Sequence, residues 1–103
     1  MTSRLDSLRA MVEQSPNDAF LRYGLAMEYR NSGDMESAMR EFRTLMAAHP
    51  DYPPAFFHSG QTLEKMGLED EAREAYTAGV DAATRKGDAH ARAEMQAALD
   101  MLG

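Results

Sequence analysis

The chain has 103 residues, a length that suits one small domain and excludes a cofactor domain beside a substrate domain. It contains no cysteine, which excludes disulfides, thiol nucleophiles and thiolate metal sites. Its net charge is −6, which argues against nucleic acid as the main partner because a phosphate backbone favours clustered Lys and Arg.

The N-terminal segment has neither a leader nor a membrane pattern. Residues 1–16 mix charged and apolar residues at every third or fourth position, without the continuous apolar core of a secretory signal. No stretch approaches the ~20 apolar residues that a membrane helix needs. The sequence therefore predicts a soluble cytoplasmic protein with no membrane partner, and a domain of a larger or exported chain is the alternative.

Three amphipathic helices are predicted in the first half of the chain. The first covers 3–14 and the second covers 18–31. Asn17 and Asp18 can cap the start of the second. Gly33 ends it, since the residue just past a helix often needs positive φ. The third covers 35–48, with Asp34 as its cap.

Three further helices are predicted in the second half, over 53–66, 69–85 and 88–102. The first begins at two prolines, whose missing N–H costs nothing in a first turn, and ends at Gly67. Several pairs place an acid four residues before a base, an orientation that supports exposed helix faces. These pairs are Glu36–Arg40, Glu69–Arg73, Asp81–Arg85 and Asp88–Arg92.

Residue types repeat along the chain at a spacing of 34. A fixed period of this length indicates stacked supersecondary units. The matched pairs are Pro16 and Pro50, Tyr23 and Phe57, Ala26 and Gly60, Gly33 and Gly67, Ala38 and Ala72, and Phe42 and Tyr76.

This pattern resembles the tetratricopeptide repeat, a 34-residue helix pair. The first repeat matches at Leu25, Ala26, Tyr29, Gly33, Asp34, Ala38, Phe42 and Pro50, and the second at Phe56, Gly60, Gly67, Ala72 and Tyr76. Three positions depart from the family pattern. Arg22 stands where a bulky aromatic is usual, Ser59 replaces a Leu, and Thr84 replaces the closing Pro, which predicts that the helix from 69 continues to Gly87.

The resemblance implies an all-α fold, a right-handed α-α superhelix of antiparallel helix pairs with five to six helices. We expect a single domain over 1–103. It would consist of a half-repeat helix at 2–16, repeats at 17–52 and 53–86, and a C-terminal capping helix at 87–103.

The residues offer no catalytic or metal-binding motif. His49, His58 and His90 have no partner at metal-ligand spacing, and the chain lacks a glycine-rich phosphate loop and a GxSxG motif. The sequence therefore predicts a protein that is not an enzyme and binds no cofactor or metal.

The resemblance also implies a concave groove that takes a peptide or a partner's helix. Carried over residue by residue, its positions are Phe20, Tyr23, Met27 and Arg30, then Phe57, His58, Gln61 and Lys65. The Lys and Asn pair with which some family members hold a terminal carboxylate is absent, so we expect a protein or peptide partner with an apolar or aromatic segment. The alternative to an open groove is that the N-terminal half-repeat or the last helix covers part of this surface.

Two function classes follow. The first is a non-catalytic protein–protein interaction module, an adaptor or scaffold, that works by burying complementary surfaces. The alternative is a self-assembling structural subunit, a homo-oligomer joined through its end helices. A further interpretation is an enzyme or small-ligand binder with a closed pocket that holds carboxylates of perturbed pKa or His58. Another is one subunit of a larger complex, with no independent activity.

Overall fold

The computed structural model describes residues 3–103, which form six α-helices and no strand. None of the described helices is long and apolar enough to cross a bilayer. Each predicted helix is confirmed to within one residue at either end. The helices are α1 (Arg4–Gln14), α2 (Ala19–Asn31), α3 (Met35–Ala48), α4 (Pro53–Lys65), α5 (Glu69–Lys86) and α6 (Ala89–Leu102).

Aspartate side chains cap three of these helices. Asp18, Asp34 and Asp88 each accept a hydrogen bond from the backbone N–H three residues later, at 3.1, 3.1 and 3.0 Å. Each bond satisfies one of the N–H groups that a helix leaves unpaired at its start. The predicted caps at Asp18 and Asp34 are therefore confirmed.

Glycines with positive φ follow the ends of α2, α4 and α5. The φ angles of Gly33, Gly67 and Gly87 are 90°, 78° and 77°, as predicted for the terminators of these helices. The helix α5 continues through Thr84 to Lys86, because threonine keeps the backbone N–H that the family's usual proline would lack.

The chain divides into two compact units, Met1–His49 and Pro50–Gly103. The predicted single domain over 1–103 stays a prediction. The first residue of the predicted half-repeat 2–16 lies outside the described residues.

In the first unit, α2 packs against both α1 and α3. The buried apolar residues of this unit are Val12, Leu25, Ala26, Ala38, Met39, Phe42 and Leu45. The Arg22 guanidinium donates to the Glu41 carboxylate at 2.6 Å and to the Pro16 carbonyl at 3.3 Å. The cation thus joins α2 to α3 at the position where the family usually has an aromatic residue.

In the second unit, α5 packs against both α4 and α6. The backbone of α4 closely approaches the fully buried ring of Tyr76 at Gly60, where an added Cβ would overlap the ring. The Tyr76 hydroxyl donates to the Glu64 carboxylate, which satisfies its polar end. The small residue therefore allows α4 and α5 to meet around an aromatic side chain.

The Arg85 side chain, near the end of α5, contacts the residues that precede α4. The Arg85 guanidinium donates to the Asp51 carboxylate at 2.9 Å and to the Pro50 carbonyl at 3.1 Å. Arg85 thus forms its ion pair with Asp51 rather than with Asp81, which lies four residues before it on α5.

Candidate functional site

Four of the eight predicted site residues lie along one side of α2, and we call them the α2 face. Phe20, Tyr23, Met27 and Arg30 are spaced by three, four and three residues, which places them on one stripe of the helix. Phe20 is 71% exposed, whereas the other three side chains are half-buried. The ring centroids of Phe20 and Tyr23 are 6.5 Å apart, so the two aromatic side chains form one patch.

The other sides of α2 are occupied by its neighbours within the first unit. Leu8 of α1 reaches Gly24, where an added Cβ would lie 3.6 Å from the Leu8 methyl carbon. Arg22 reaches α3 through its ion pair with Glu41. Since α1 and α3 take these two sides, Phe20 is left exposed at the start of the helix.

Burial and a neighbouring charge act on the Tyr23 phenol in opposite directions. Partial burial raises the pKa of Tyr23 above its usual value, and the positive charge of Arg30 offsets part of that effect. The phenol is therefore neutral at physiological pH and presents an apolar ring with a polar tip. Arg30 lies in the last turn of α2, where the helix dipole favours a cation.

The single carboxylate of α2 lies on the side of the helix that meets α1. Glu28 accepts a hydrogen bond from the Arg4 guanidinium at 3.1 Å, and its side chain is 24% exposed. This pairing neutralises Glu28, so α2 contributes no unbalanced negative charge beside the α2 face.

The other four predicted residues lie on α4 and are called the α4 face. Phe57, His58 and Gln61 are half-buried, and Lys65 is exposed. The Phe57 ring lies 5.3 Å from the His58 ring and 6.2 Å from the ring of buried Tyr76. Phe57 therefore supports the core of the second unit in addition to lining a surface, unlike Phe20.

Sequence reasoning missed an open depression of about 650 Å³ on the outer side of α5. In the sequence, only the helical spacing of the acidic residues on α5 could have indicated that they share one side of the helix. Its walls are Asp70, Arg73, Glu74, Thr77, Ala78 and Asp81, and Arg73 pairs with Asp70 at 3.1 Å. All of these residues lie on one helix, and the depression is open to solvent rather than enclosed as a typical ligand pocket is.

The arrangement provides aromatic rings, a thioether and cations rather than a reacting group. Within residues 3–103, no three His, Asp or Glu side chains are grouped closely enough to hold a metal ion. The chemistry of each face is therefore that of association, by exclusion of water from apolar side chains, rather than that of catalysis.

Comparison with known proteins identifies the family. Tetratricopeptide repeat models match residues 18–52 and 53–86. The chain belongs to the tetratricopeptide repeat family. A TPR repeat-containing protein of Pseudomonas aeruginosa is 29% identical over 98 residues, which cover 95% of this chain and 93% of that protein.

Solved structures agree with this assignment. The solution structure of a protein from Bordetella parapertussis has a TM-score of 0.82 at 29% identity, covering 99% of this chain and 89% of that one. A tetratricopeptide repeat domain protein from Salinibacter ruber, also solved in solution, has a TM-score of 0.81 at 30% identity, covering 84% and 88%. Tetratricopeptide repeats generally mediate protein–protein interaction and are typically non-catalytic, and the fold by itself does not select a partner.

Proposed function

We propose that this protein is a non-catalytic interaction module, an adaptor or scaffold, that binds a peptide or helix of a partner protein on the α2 face and the α4 face. The observation that carries the proposal is the 71% exposure of Phe20 beside Tyr23 on one stripe of α2. Full burial of a Phe side chain contributes about 1.5–3 kcal/mol, so a partner that covers Phe20 gains roughly 1–2 kcal/mol from that ring.

The mechanism is burial of apolar side chains within a polar rim. Aromatic residues are preferred anchors in protein interfaces, and the flexible thioether of Met27 adapts to partners of different shape. Arg30 borders the α2 face, and Lys65 borders the α4 face. Because each face is small, we expect micromolar affinity for a single peptide, on the order of −7 to −8 kcal/mol.

Two finer expectations belong to this proposal. The protein works in the cytoplasm, which fractionation of the native host would test. Self-assembly through the end helices is the alternative function, and a molecular mass by light scattering that stays monomeric as concentration rises would exclude it.

Capture of partners from native lysate tests the α2 face. The double variant Phe20→Ala/Tyr23→Ala should lose partners that the wild-type chain retains. Met101→Ala is the matched control, because Met101 is an 89% exposed apolar residue on α6, outside both faces. Its capture should equal that of the wild type.

Circular dichroism shows whether the variants remain folded. Replacing exposed Phe20 should change stability by no more than about 0.5 kcal/mol, as for most surface substitutions. Equal capture by the folded double variant and the wild type would contradict the proposal.

A further inference from the structure

We propose that α6 is a redox-sensitive strap, a helix that is released from α5 when a peroxide oxidises the Met95 thioether to a sulfoxide. The modified atom is Met95 Sδ. The chain contains nine methionines and no cysteine, so its oxidisable sulfur atoms are all thioethers. The inference concerns neither the α2 face nor the α4 face, and it does not depend on the proposed function.

Met95 anchors α6 in the second unit. It is 0% exposed, and it is the one buried residue of Ala89–Leu102, whereas α4 contributes seven buried residues to the same unit. The next best covered apolar side chains of α6, such as Leu99 and Leu102, are half-buried. The docking of α6 therefore depends on a single side chain to a degree that the docking of α4 does not.

Gly79 of α5 provides the slot that the Met95 thioether fills. An added Cβ at Gly79 would overlap Met95 Sδ and would lie 2.7 Å from the Phe56 Cβ of α4. The missing side chain thus lets α4 and α6 both approach the backbone of α5. Because Gly79 lies in the middle of α5, its N–H is bonded within the helix and is not available to a new oxygen atom.

The oxidation is the transfer of one oxygen atom. The sulfur lone pair attacks an oxygen of hydrogen peroxide, and the S–O bond forms as the O–O bond breaks. The thioether loses two electrons to the peroxide, and the proton of the transferred hydroxyl combines with the departing hydroxide to give water. The product carries a polar oxygen in place of an apolar sulfur, and burying such a group without a hydrogen-bond partner is unfavourable.

Transient opening of α6 gives the peroxide access to the buried sulfur. The helix packs mainly against α5, and the hydrogen bond from Arg73 to the Gly103 carbonyl is exposed, so water can replace it. Elements with few buried apolar contacts open at a lower free energy than the core. Reclosure of the oxidised helix would bury the sulfoxide oxygen at Gly79, so oxidation shifts the equilibrium towards the open helix by roughly 5- to 100-fold.

The order in which hydrogen peroxide oxidises the methionines of the full chain tests this access. Peptide mass spectrometry gives the oxidised fraction at each methionine over time. Met101 is 89% exposed and should react first, whereas Met39 is 1% exposed in the first unit and should react last. We expect Met95 to react roughly fivefold or more faster than Met39 and more slowly than Met101. Oxidation of Met95 at the rate of Met39 or below would overturn the proposal.

Hydrogen exchange shows which helix the oxidation releases. In the treated wild-type chain, the amides of α6 should exchange roughly 5- to 100-fold faster, while those of α4 keep their rates. The Met95→Leu chain is the matched control, because peroxide oxidises its other methionines but not position 95, and its α6 exchange should not respond to peroxide. Unchanged α6 exchange in a wild-type chain whose Met95 is oxidised would overturn the proposal, and so would equal acceleration in α4 and α6.

A polar substitution imitates the oxidised side chain without peroxide. Met95→Gln should accelerate the exchange of α6 amides by a similar factor. Met101→Gln makes the same change at an exposed position of α6 and should leave this exchange as in the wild type. Equal exchange in the two variants would overturn the proposal. If circular dichroism shows that Met95→Gln does not fold, the exchange of the peroxide-treated wild-type chain decides.

Discussion

The contact between the α4 backbone and the Tyr76 ring predicts that Gly60→Ala destabilises the second unit. An alanine Cβ at this position would overlap three atoms of the ring. The ring has no room to move away, because it is fully buried, its hydroxyl is bonded to Glu64, and the Phe57 ring lies 6.2 Å from it. The helices α4 and α5 must therefore separate slightly, or the ring must leave its preferred rotamer.

Two opposing effects set the magnitude. Alanine is favoured over glycine inside a helix by about 1 kcal/mol. Overpacking a well-filled core typically costs about 1–3 kcal/mol, and confinement of the Tyr76 ring places this site at the upper end. We therefore expect Gly60→Ala to lower the free energy of unfolding by about 2 kcal/mol, which corresponds to a fall in Tm of about 8–16 °C.

The control is Gly24→Ala, a similar substitution in the middle of α2. Its added Cβ would make an ordinary contact of 3.6 Å with Leu8. Helix propensity then dominates, and we expect a gain of about 0.5–1 kcal/mol. Thermal and urea unfolding followed by far-UV circular dichroism measures both variants. A Gly60→Ala chain as stable as Gly24→Ala would refute the steric argument.

Two further substitutions test the contacts at the ends and sides of α3. Arg22→Ala removes one partner of an ion pair whose side chains are 17% and 14% exposed, and urea unfolding should show a loss of roughly 1–2 kcal/mol. Joint replacement of Arg22 and Glu41 by Leu should recover most of that loss, and no recovery would contradict the assigned contact. Hydrogen bonds from the Ser37 side chain and backbone lower the pKa of the Asp34 carboxyl in the folded protein. The ionised carboxylate therefore stabilises the folded state above pH ~4, the range of the unfolded pKa. This stabilisation is lost as the pH falls through the lowered folded-state pKa. The Tm difference between Asp34→Ala and the wild type should therefore shrink below pH ~4, and a difference that is constant with pH would exclude this role for the carboxylate.

The helices were predictable because their signals are local. The capping side chain of Asp34 lies next to the start of α3, and the positive φ at Gly33 lies within two residues of the end of α2. The 34-residue repeat then supplied the pairing of helices. These features depend on neighbours in the sequence, and the structure confirms them.

Side-chain partners across helices were harder to predict. In the sequence, Arg85 follows Asp81 by four residues, a spacing at which opposite charges attract on an isolated helix. In the structure a second carboxylate and a carbonyl lie within reach at the start of α4, and Arg85 binds both of them. Likewise, Arg22 departs from the family pattern in the sequence, and only the packing of α2 on α3 shows that Glu41 balances its charge.

The helices that carry the candidate residues were predictable, but the burial and contacts of those residues were not. Repeat spacing placed Phe20 and Phe57 on the first helices of their repeats, and both lie there. No pattern in the sequence distinguishes Phe57, whose ring packs beside buried Tyr76, from Phe20, whose side chain is exposed. That difference depends on the neighbouring helix, and binding through the predicted site residues stays a prediction.

The contacts that close each helical hairpin have a consequence for how the chain folds. His49 Nε2 lies 3.0 Å from the Asn17 carbonyl in the first unit, and Arg85 reaches Pro50 in the second, so these contacts join residues 32 and 35 positions apart. Short sequence separations make loop closure inexpensive in entropy and favour folding within milliseconds. Synthesis of the second unit, at about 5–20 residues per second, takes about 3–11 s. The first unit is therefore expected to be folded before the ribosome has finished the second.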